Sequence, residues 1–423
     1  EEATRNPPSA PIPIDRQWIA KLLRKYPNPN SIRQDGKALV VAPMVDQSDL
    51  PFRLLARRYG ANLCFTPMIH SRLLVDSQAY RSKFLGTWLS ADRPLIAQLC
   101  GSDPDYVLQA ARYLEPHVDG IDINCGCPQG IARRGNYGAF LLEQEETLLT
   151  LVRHLVKHLH VPLSVKVRLL PPPNANHLGE DPRCHSEKFD IPKHSLDLYA
   201  KLVDAGIHLL TIHGRTRHQK SRYTGSTDWE TIRKAVELFG ATIPIFANGS
   251  IGTYEDVDEC LQITKADGIM SSESVLEYPP IFYAKPQIPV RSIGRIQLAK
   301  EYIALARQYP PQHGGQGSGT KCMRVHVHRF LHSDLQTDTD LRKVLVEANS
   351  VDALDAAIDL CQKYHDEHGL IVSEESLSWY GRHRHHEDGE ETTTANSSSQ
   401  NKEDEYEEEK AFCGLFGTDY ADY

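Results

Sequence analysis

The chain has 423 residues, of which 40% are hydrophobic and 24% are charged, and its formal net charge is −9. A chain of this length can bury a large core, which predicts one large domain with additional segments. Its nine cysteines are odd in number and lack a framework spacing, and no run approaches 18 apolar residues, so the sequence excludes a disulfide scaffold and a membrane-spanning helix.

The charge is unevenly distributed along the chain. From Tyr380 to Tyr423 there are 12 acidic and 4 basic residues, so this tail carries a charge of −8. Between Arg291 and Phe330 there are 7 lysines and arginines and one acid, a charge of +6. Local charge matters more than total charge for a polyanionic partner, so the second stretch is a candidate contact for nucleic acid.

Residues 1–37 form an N-terminal extension rich in proline, asparagine and charge. A short amphipathic segment from Gln17 to Tyr26 is expected to lie across the bottom of the domain that follows. The first residues have neither a basic start nor an apolar core, so no secretory signal is expected. Reduced cysteines and this N-terminus together predict a cytoplasmic protein, with a nuclear location as the second choice. We expect a monomer.

From Ala38 short β-branched runs alternate with longer helical patterns, which is typical of a parallel α/β fold. Eight such runs occur, and together they predict an α/β fold of the (β/α)₈ TIM-barrel type over residues 38–290. The runs are Leu39–Pro43, Asn62–Thr66, Pro94–Leu99, Gly120–Asn124, Leu163–Arg168, Leu209–His213, Ile243–Asn248 and Gly268–Ser271.

Polar residues stand at the ends of these runs. In a TIM barrel the catalytic groups come from the C-terminal ends of the strands, and phosphate binds after the seventh and eighth. The sequence therefore predicts one polar site at the barrel mouth. The insertion Leu170–His194 either covers that mouth or is a disordered excursion.

After about residue 290 the strand pattern stops. Helical periodicity in Ile293–Gln308 and Asp340–Lys363 predicts a helical domain over residues 291–378. Residues 379–423 are acidic and poor in large apolar side chains, so we expect a disordered tail.

The stretch Gly120–Leu142 reads GIDINCGCPQGIARRGNYGAFLL, a strand that runs directly into a glycine-rich loop. It resembles the signature of the dihydrouridine synthases: apolar, acidic, apolar, Asn, any residue, Gly-Cys-Pro, and a later Gly-Ala. APMVDQSDLPFR, FTPMIHS, VKVR, HGRT and FANGSI resemble other landmarks of that family. MVDQSD and MSSE are most similar to the eukaryotic branch that acts on positions 16 and 17 of the tRNA D-loop.

The resemblance implies an FMN-dependent enzyme that reduces uridine to 5,6-dihydrouridine in tRNA, with NADPH or NADH as the transient reductant. Chemistry supports a flavin, because no amino acid donates hydride and no Rossmann fingerprint is present for a tightly held dinucleotide. The helical domain would contact tRNA.

The resemblance also implies roles for individual residues. Cys127 would be the proton donor, since a thiol is protonated at neutral pH yet acidic enough to release its proton. Cys125, two residues away, would be a bystander, and we expect no metal. The residues implied to bind the cofactor are Pro43, Met44, Gln98, Lys166, His213, Asn248, Gly249, Ser250, Ser272 and Glu273. Those implied to bind the substrate are Asn124, Arg168 and Tyr223. From the density of positive charge in the basic stretch we predict that Lys321, Arg324 and Arg329 bind the substrate tRNA through its phosphates.

One detail departs from the family pattern. Many members have Gly-Arg where this chain has Ser272 and Glu273. A carboxylate repels phosphate, so we expect Glu273 to point away from the site and the backbone to bind the phosphate.

Two other functions stay open at this point. One is a small-molecule FMN oxidoreductase of the dihydroorotate dehydrogenase type, against which the basic helical extension argues. The other is a tRNA-binding protein without catalysis, against which the intact Asn124, Cys127 and Lys166 argue.

Overall fold

Short runs of aliphatic and β-branched residues form one closed sheet in the computed structural model, which describes residues 10–31, 33, 35–85, 88–172, 190–219, 224–283, 294–311, 319–337 and 339–368. The strands are β1 (Ala38–Val41), β2 (Leu63–Phe65), β3 (Ile69–His70), β4 (Leu95–Cys100), β5 (Gly120–Cys125), β6 (Leu163–Arg168), β7 (Leu209–His213), β8 (Ile245–Asn248) and β9 (Gly268–Ser271).

Every pairing in this sheet is parallel, in the order β2-β1-β9-β8-β7-β6-β5-β4-β3. The sheet closes because β2 also pairs with β4. The two-residue β3 pairs further along β4, so β2 and β3 share one position of an eight-position barrel. The predicted TIM barrel is confirmed, and each of the eight predicted runs overlaps a strand.

Helices accompany the barrel, and most of them lie between successive strands along the chain. They are α1 (Trp18–Lys25), α2 (Leu50–Arg58), α3 (Ser71–Asp76), α4 (Gln78–Leu85), α5 (Pro104–Leu114), α6 (Gly130–Arg134), α7 (Ala139–Leu142), α8 (Glu145–His158), α9 (Ile191–Asp204), α10 (Trp229–Phe239), α11 (Tyr254–Thr264) and α12 (Glu273–Glu277). Side-chain caps start several of them, for example Asp103 at α5 and Thr253, in a capping box, at α11.

The alternation of side chains along the strands separates two cores. The larger core lies between the sheet and the outer helices, and on β5 it includes Ile121, Ile123 and Cys125. The smaller core fills the lower barrel interior with residues such as Val40 and Phe246. Because successive side chains of a strand point to opposite faces, the polar residues between those of β5 point into the barrel.

Helix α1 covers the amino-terminal end of the barrel, as predicted. Its Ile19 and Leu22 belong to the inner core. A Cβ on Gly120, the first residue of β5, would lie 3.0 Å from the Trp18 ring. Arg16 donates to Asp267, which precedes β9, over 2.7 Å. The bottom of the barrel is therefore closed, and the polar residues at the other end form its mouth.

Five C-terminal helices in the described part of the chain form a layer beside the barrel: the first packs against α2, and the second packs against α12. They are α13 (Arg295–Gln308), α14 (Thr320–Phe330), α15 (His332–Thr337), α16 (Thr339–Glu347) and α17 (Val351–His368). Asp49, the cap of α2, accepts from Tyr302 of α13 over 2.9 Å and lies 3.3 Å from Nε2 of His326 of α14. All three side chains are buried, so the helical layer is joined to the barrel by polar contacts as well as apolar ones.

The predicted domain limits stay predictions. Residues 284–293, 173–189 and 369–423 lie outside the described residues, and with them the boundary at 290, most of the Leu170–His194 insertion and the acidic tail. Among the described helices, none combines the length and the apolar content needed to cross a bilayer.

Candidate active site

The barrel mouth brings together polar side chains from five neighbouring strands, β4 to β8. Their spatial order follows from the strand register, in which Gln98 pairs with Asp122, Asn124 with Lys166, Arg168 with His213, and His213 with Asn248. The inward-facing members of this set alternate with apolar residues of the outer core. The structure thus groups the predicted strand-end residues at one end of the barrel.

The loop after β5 is shaped by one carboxamide. Oδ1 of Asn124 accepts from the backbone N–H of Gly126 over 3.0 Å and from that of Cys127 over 2.9 Å. A side chain that bonds the backbone two and three residues later closes a tight turn. Asn124 therefore fixes the backbone position of Cys127, two residues beyond the end of β5.

The later Gly-Ala of the motif packs back onto the same cysteine. Gly138 has φ +66, and a Cβ there would lie 2.6 Å from the carbonyl oxygen of Cys127. The backbone N–H of Ala139 donates to that oxygen over 3.0 Å. Only glycine fits this close approach in a left-handed conformation.

The two thiols have different environments. Cys125 is fully buried in the outer core, and burial raises the pKa of its thiol far above the usual value. Cys127 lies beyond the strand end, is half-buried and packs against a small cluster with Cys100 and Tyr137. The Cys127 thiol is therefore the more accessible of the two, and the roles of both thiols stay predictions.

A buried hydrogen-bonded chain crosses β4, β5 and β6. Nε2 of Gln98 donates to Asp122 over 2.7 Å, and Oγ of Ser164 donates to the same carboxylate over 2.6 Å. Oε1 of Gln98 accepts from Nδ2 of Asn124 over 2.8 Å. Burial raises the pKa of Asp122 to about 6, although both hydrogen bonds oppose this.

Three cations lie beside this chain. Burial, with repulsion from Arg168, lowers the pKa of Lys166 to about 8. Burial, with repulsion from Arg215, lowers the pKa of Arg168 to about 10, and burial lowers that of Arg215 to about 10. Mutually repelling cations held away from water form a site that favours an anion.

Arg168 and Arg215 also have defined backbone and side-chain partners. Arg168 donates to the carbonyls of Gly126 and Thr216 over 2.8 and 2.9 Å. Arg215 donates to Ser250 Oγ over 3.0 Å, and its other terminal nitrogen lies 3.3 Å from Nε2 of His213. Arg215 lies within the HGRT motif, but the sequence alone does not indicate these contacts.

The turn after β8 packs closely against neighbouring side chains. Gly249 has φ +111, and a Cβ there would lie 2.5 Å from Thr227 Oγ1 and 3.0 Å from the His213 ring. The next residue, Ser250, also has a positive φ. Asn248 donates to the carbonyl of Met270 over 2.8 Å, which orients the end of β8. Consecutive backbone N–H groups in such turns bind anions, so the residues fit the flavin phosphate that the sequence predicts here.

The expectation that Glu273 points away from the phosphate stays a prediction. Glu273 is exposed at the first position of α12, directly after Ser272. Its negative charge partly opposes the lowering of the pKa values of Arg168 and Arg215 that burial causes. Glu273 therefore lies within electrostatic range of the cations at the mouth.

Pro43 and Met44 follow β1 at the mouth, where Ser48 fixes the turn by bonding to the backbone N–H and carbonyl of Met44 over 3.0 and 3.2 Å. Tyr223 lies outside the described residues. The barrel residues predicted to contact flavin or uracil are thus placed at one mouth, except for Tyr223.

The basic residues of the helical layer have mainly intramolecular contacts. Arg324 donates twice to the carbonyl of Ala348, over 3.0 and 2.6 Å, and the buried Arg329 donates to Gln47. Lys321 is half-buried, and its charge acts on Asp46. The assignment of Lys321, Arg324 and Arg329 to tRNA stays a prediction.

Other cations of the basic stretch are paired with acids. Lys300 pairs with Asp359 over 3.0 Å, and Arg307 with Asp352 and Asp355 over 2.6 and 2.9 Å. Acids on α17 therefore offset much of the charge that the stretch carries in sequence.

Within the described residues, one group of three side chains has the donor atoms of a metal site: Asp49, Cys322 and His326. The Cys322 thiol donates to the carbonyl of Asp46 over 2.8 Å, and Tyr302 donates to Asp49. We assign this group to the contact between α2 and the helical layer.

Gly138→Ala should displace the cysteine loop. The added Cβ meets the Cys127 carbonyl in a conformation that alanine adopts only with strain, so we expect a loss of about 1–3 kcal/mol in the free energy of unfolding. Thermal unfolding and the rate of Cys127 alkylation measure the effect. Gly130→Ala is the control, because a Cβ there meets nothing within 4 Å; equal losses in the two variants would contradict this account.

Comparison with known proteins agrees with the site. The family model described as Dihydrouridine synthase (Dus) matches residues 40–367. The chain is 36% identical to a Schizosaccharomyces pombe tRNA-dihydrouridine(16/17) synthase, over 73% of this chain and 72% of that protein. It is 37% identical to a Saccharomyces cerevisiae protein of the same name, over 74% and 69%. A Mus musculus tRNA-dihydrouridine(16/17) synthase-like protein is 38% identical, over 76% of this chain and 61% of that protein. The chain therefore belongs to the dihydrouridine synthase family.

Proposed function

We propose that this protein reduces uridine to 5,6-dihydrouridine in the D-loop of tRNA, at positions 16 and 17, with FMN as cofactor and NADPH or NADH as reductant. The relatives named tRNA-dihydrouridine(16/17) synthase support both the reaction and the positions. The observation that carries the proposal is the placement of Cys127 by Asn124 at a mouth that also contains Lys166 and Gln98.

FMN, when bound, would supply the hydride that no side chain can give. Lys166 would lie against the pyrimidine edge of the flavin, where negative charge develops when the flavin is reduced. Gln98 would hydrogen-bond that edge, and Met44 would lie against the ring. The turn at Asn248, Gly249 and Ser250 would bind the phosphate, together with the backbone at Ser272 and Glu273 and with His213. Arg215, which contacts both His213 and Ser250, is placed to act on the same phosphate.

The chain's own contribution to the chemistry is proton transfer and positioning. Hydride addition at C6 of uracil leaves negative charge over C5 and O4. The thiol of Cys127 would give its proton to C5, while Asn124 and Arg168 position the base. A uracil in a folded D-loop must be turned out of its stack to reach this mouth, so the rest of the tRNA is held by its backbone.

We also place the protein in the cytoplasm or nucleus, where tRNA is modified. The seven cysteines that the structure describes form no disulfide with one another, in agreement with a reducing compartment.

Cys127→Ala tests the proposed reaction. Loss of a general acid should slow dihydrouridine formation roughly 10²- to 10⁴-fold, while NADPH oxidation by the flavin continues. Single-turnover assays with unmodified tRNA and mass spectrometry of its nucleosides measure dihydrouridine formation. Flavin absorbance measures the reduction of the flavin by NADPH. Cys125→Ala is the matched control and should have a small effect, because its thiol lies in the outer core. A Cys125 variant slower than the Cys127 variant would reverse the assignment.

Lys166 should make FMN binding depend on pH. Burial and Arg168 lower its pKa to about 8, so above that pH a growing fraction of the free protein lacks this charge. If only the charged lysine hydrogen-bonds the pyrimidine edge of FMN, the apparent Kd for FMN should rise roughly tenfold between pH 7 and pH 9. Fluorescence titration of protein stripped of flavin measures this. In Lys166→Gln, which has no ionisable group at this position, the Kd should rise at most about twofold over the same pH range. An unchanged tenfold rise would mean that another group causes the pH dependence of FMN binding.

Lys321 is the member of the basic stretch best placed to contact tRNA phosphate, because Arg324 and Arg329 would have to exchange their present partners. Lys321→Gln should lower the salt slope of tRNA binding by about 0.7. Titrations at several salt concentrations give the slope. Arg324→Gln should instead lower stability, since it removes both bonds to Ala348. A normal slope in Lys321→Gln would mean that this face is only solvated.

A further inference from the structure

One position of the Gly120–Leu142 motif has no role in the proposed chemistry. Asp122 is fully buried in the barrel interior on β5. Ionisable carboxyl groups are rarely buried without a specific partner, since their desolvation is unfavourable. Its contacts therefore indicate what the position does.

The carboxylate fixes the orientation of Gln98. An ionised carboxyl group only accepts hydrogen bonds, so Gln98 must direct its NH₂ group at Asp122, which it does over 2.7 Å. Oε1 of Gln98 must then face the other way. Ser164 donates to the second oxygen of Asp122 over 2.6 Å, which fixes the carboxylate itself.

The same orientation is passed on to the cysteine loop. With Oε1 as acceptor, Gln98 requires the NH₂ group of Asn124, which donates over 2.8 Å. Oδ1 of Asn124 is then free to accept from the backbone N–H of Cys127 over 2.9 Å. If one amide reversed, acceptor would face acceptor or donor would face donor at each end of it.

We infer that Asp122 is a positioning residue which, through Gln98 and Asn124, sets the place of the Cys127 loop at the mouth. The inference rests on the proposed function in that Cys127 is taken as the proton donor. Its structural part, the coupling of Asp122 to the loop, does not need the reaction.

A competing role for Asp122 is purely electrostatic, since its charge acts on Lys166. Asp122→Asn separates the two roles. Asparagine loses the charge but can still present an oxygen to Gln98 and its NH₂ group to the Ser164 hydroxyl. Asp122→Leu keeps a side chain branched at the same carbon but is larger and has no acceptor, so it should release Gln98.

The experiment uses the full chain with its flavin. Amide hydrogen exchange of residues 126–130 reports the loop without any reaction, and single-turnover oxidation of the reduced enzyme by tRNA reports the chemistry. Asp122→Leu should exchange roughly tenfold faster there and reduce uridine roughly 10- to 100-fold more slowly at saturating tRNA. Its flavin reduction by NADPH should fall less than its uridine reduction, because the flavin loses only the contact with Gln98 while the Cys127 loop is displaced. Every readout in Asp122→Asn should stay within about threefold of the parent.

Ser164→Ala is the control at pH 8, because it removes the other partner of the carboxylate and leaves the bond to Gln98. If the leucine variant fails to fold, Asp122→Ala removes the acceptor without adding apolar bulk. An asparagine variant as slow as the leucine variant, or unchanged loop exchange in both non-accepting variants, would overturn the inference. If the parent makes no dihydrouridine but the leucine variant still shows faster loop exchange, the proposed function is wrong. The coupling of Asp122 to the loop then still holds.

Discussion

The register of β5 against its two neighbours is the constraint on which the whole site depends. Along β5, Asp122 and Asn124 face the barrel interior, while Ile123 and Cys125 belong to the outer core. A shift by one residue would exchange the two sets, because side chains alternate between faces. The carboxamide that shapes the loop would then be buried among aliphatic side chains, and Cys125 would face the mouth. The identity of the accessible thiol thus follows from strand parity.

Keeping a carboxylate inside the barrel has a cost. Burial raises the pKa of Asp122 from 3.8 to about 6, which corresponds to about 3 kcal/mol against its ionised form. The folded state binds this proton more tightly than the unfolded state, so the contribution to stability is greatest at low pH and is lost as the pH rises through about 6. At neutral pH the ionised Asp122 therefore opposes folding. Functional sites are where such unfavourable burial is expected.

Sequence periodicity was sufficient to predict the barrel, because each strand run has its own β-branched pattern and its own bounding turn. It also predicted α1 at the barrel bottom. The strand β3, only two residues long, has too little pattern to be recognised. Among the proposed site residues, Asn124 and Cys127 come from a motif with fixed spacing, and Lys166 comes from the separate VKVR landmark. The role of Arg215 depends on two turns that approach each other in space, and sequence spacing does not show that approach.

The basic stretch is the main case in which sequence reasoning missed the contacts of the folded chain. A charge count over Arg291–Phe330 sees one acid, but α17 brings three more against α13. Asp352, Asp355 and Asp359 are more than forty residues away from the cations that they pair with. Charge in a sequence window therefore overestimates the positive field of a helical face whenever a later helix packs on it.

The helical layer and the barrel mouth are also less separate than the predicted domain boundary suggests. The turn between β1 and α2 contains Met44 at one end and Asp49 at the other. Helix α14 contacts that turn at three points: Cys322 donates to the carbonyl of Asp46, Arg329 donates to Gln47, and His326 lies against Asp49. Asp49 also accepts from Tyr302 and caps α2 through the N–H of Phe52. A displacement of α14 would therefore act on the turn that positions Met44. Because these contacts are buried and polar, they keep their geometry only while all partners are present. The helical layer thus helps to shape the barrel mouth, in addition to any contact that it makes with tRNA.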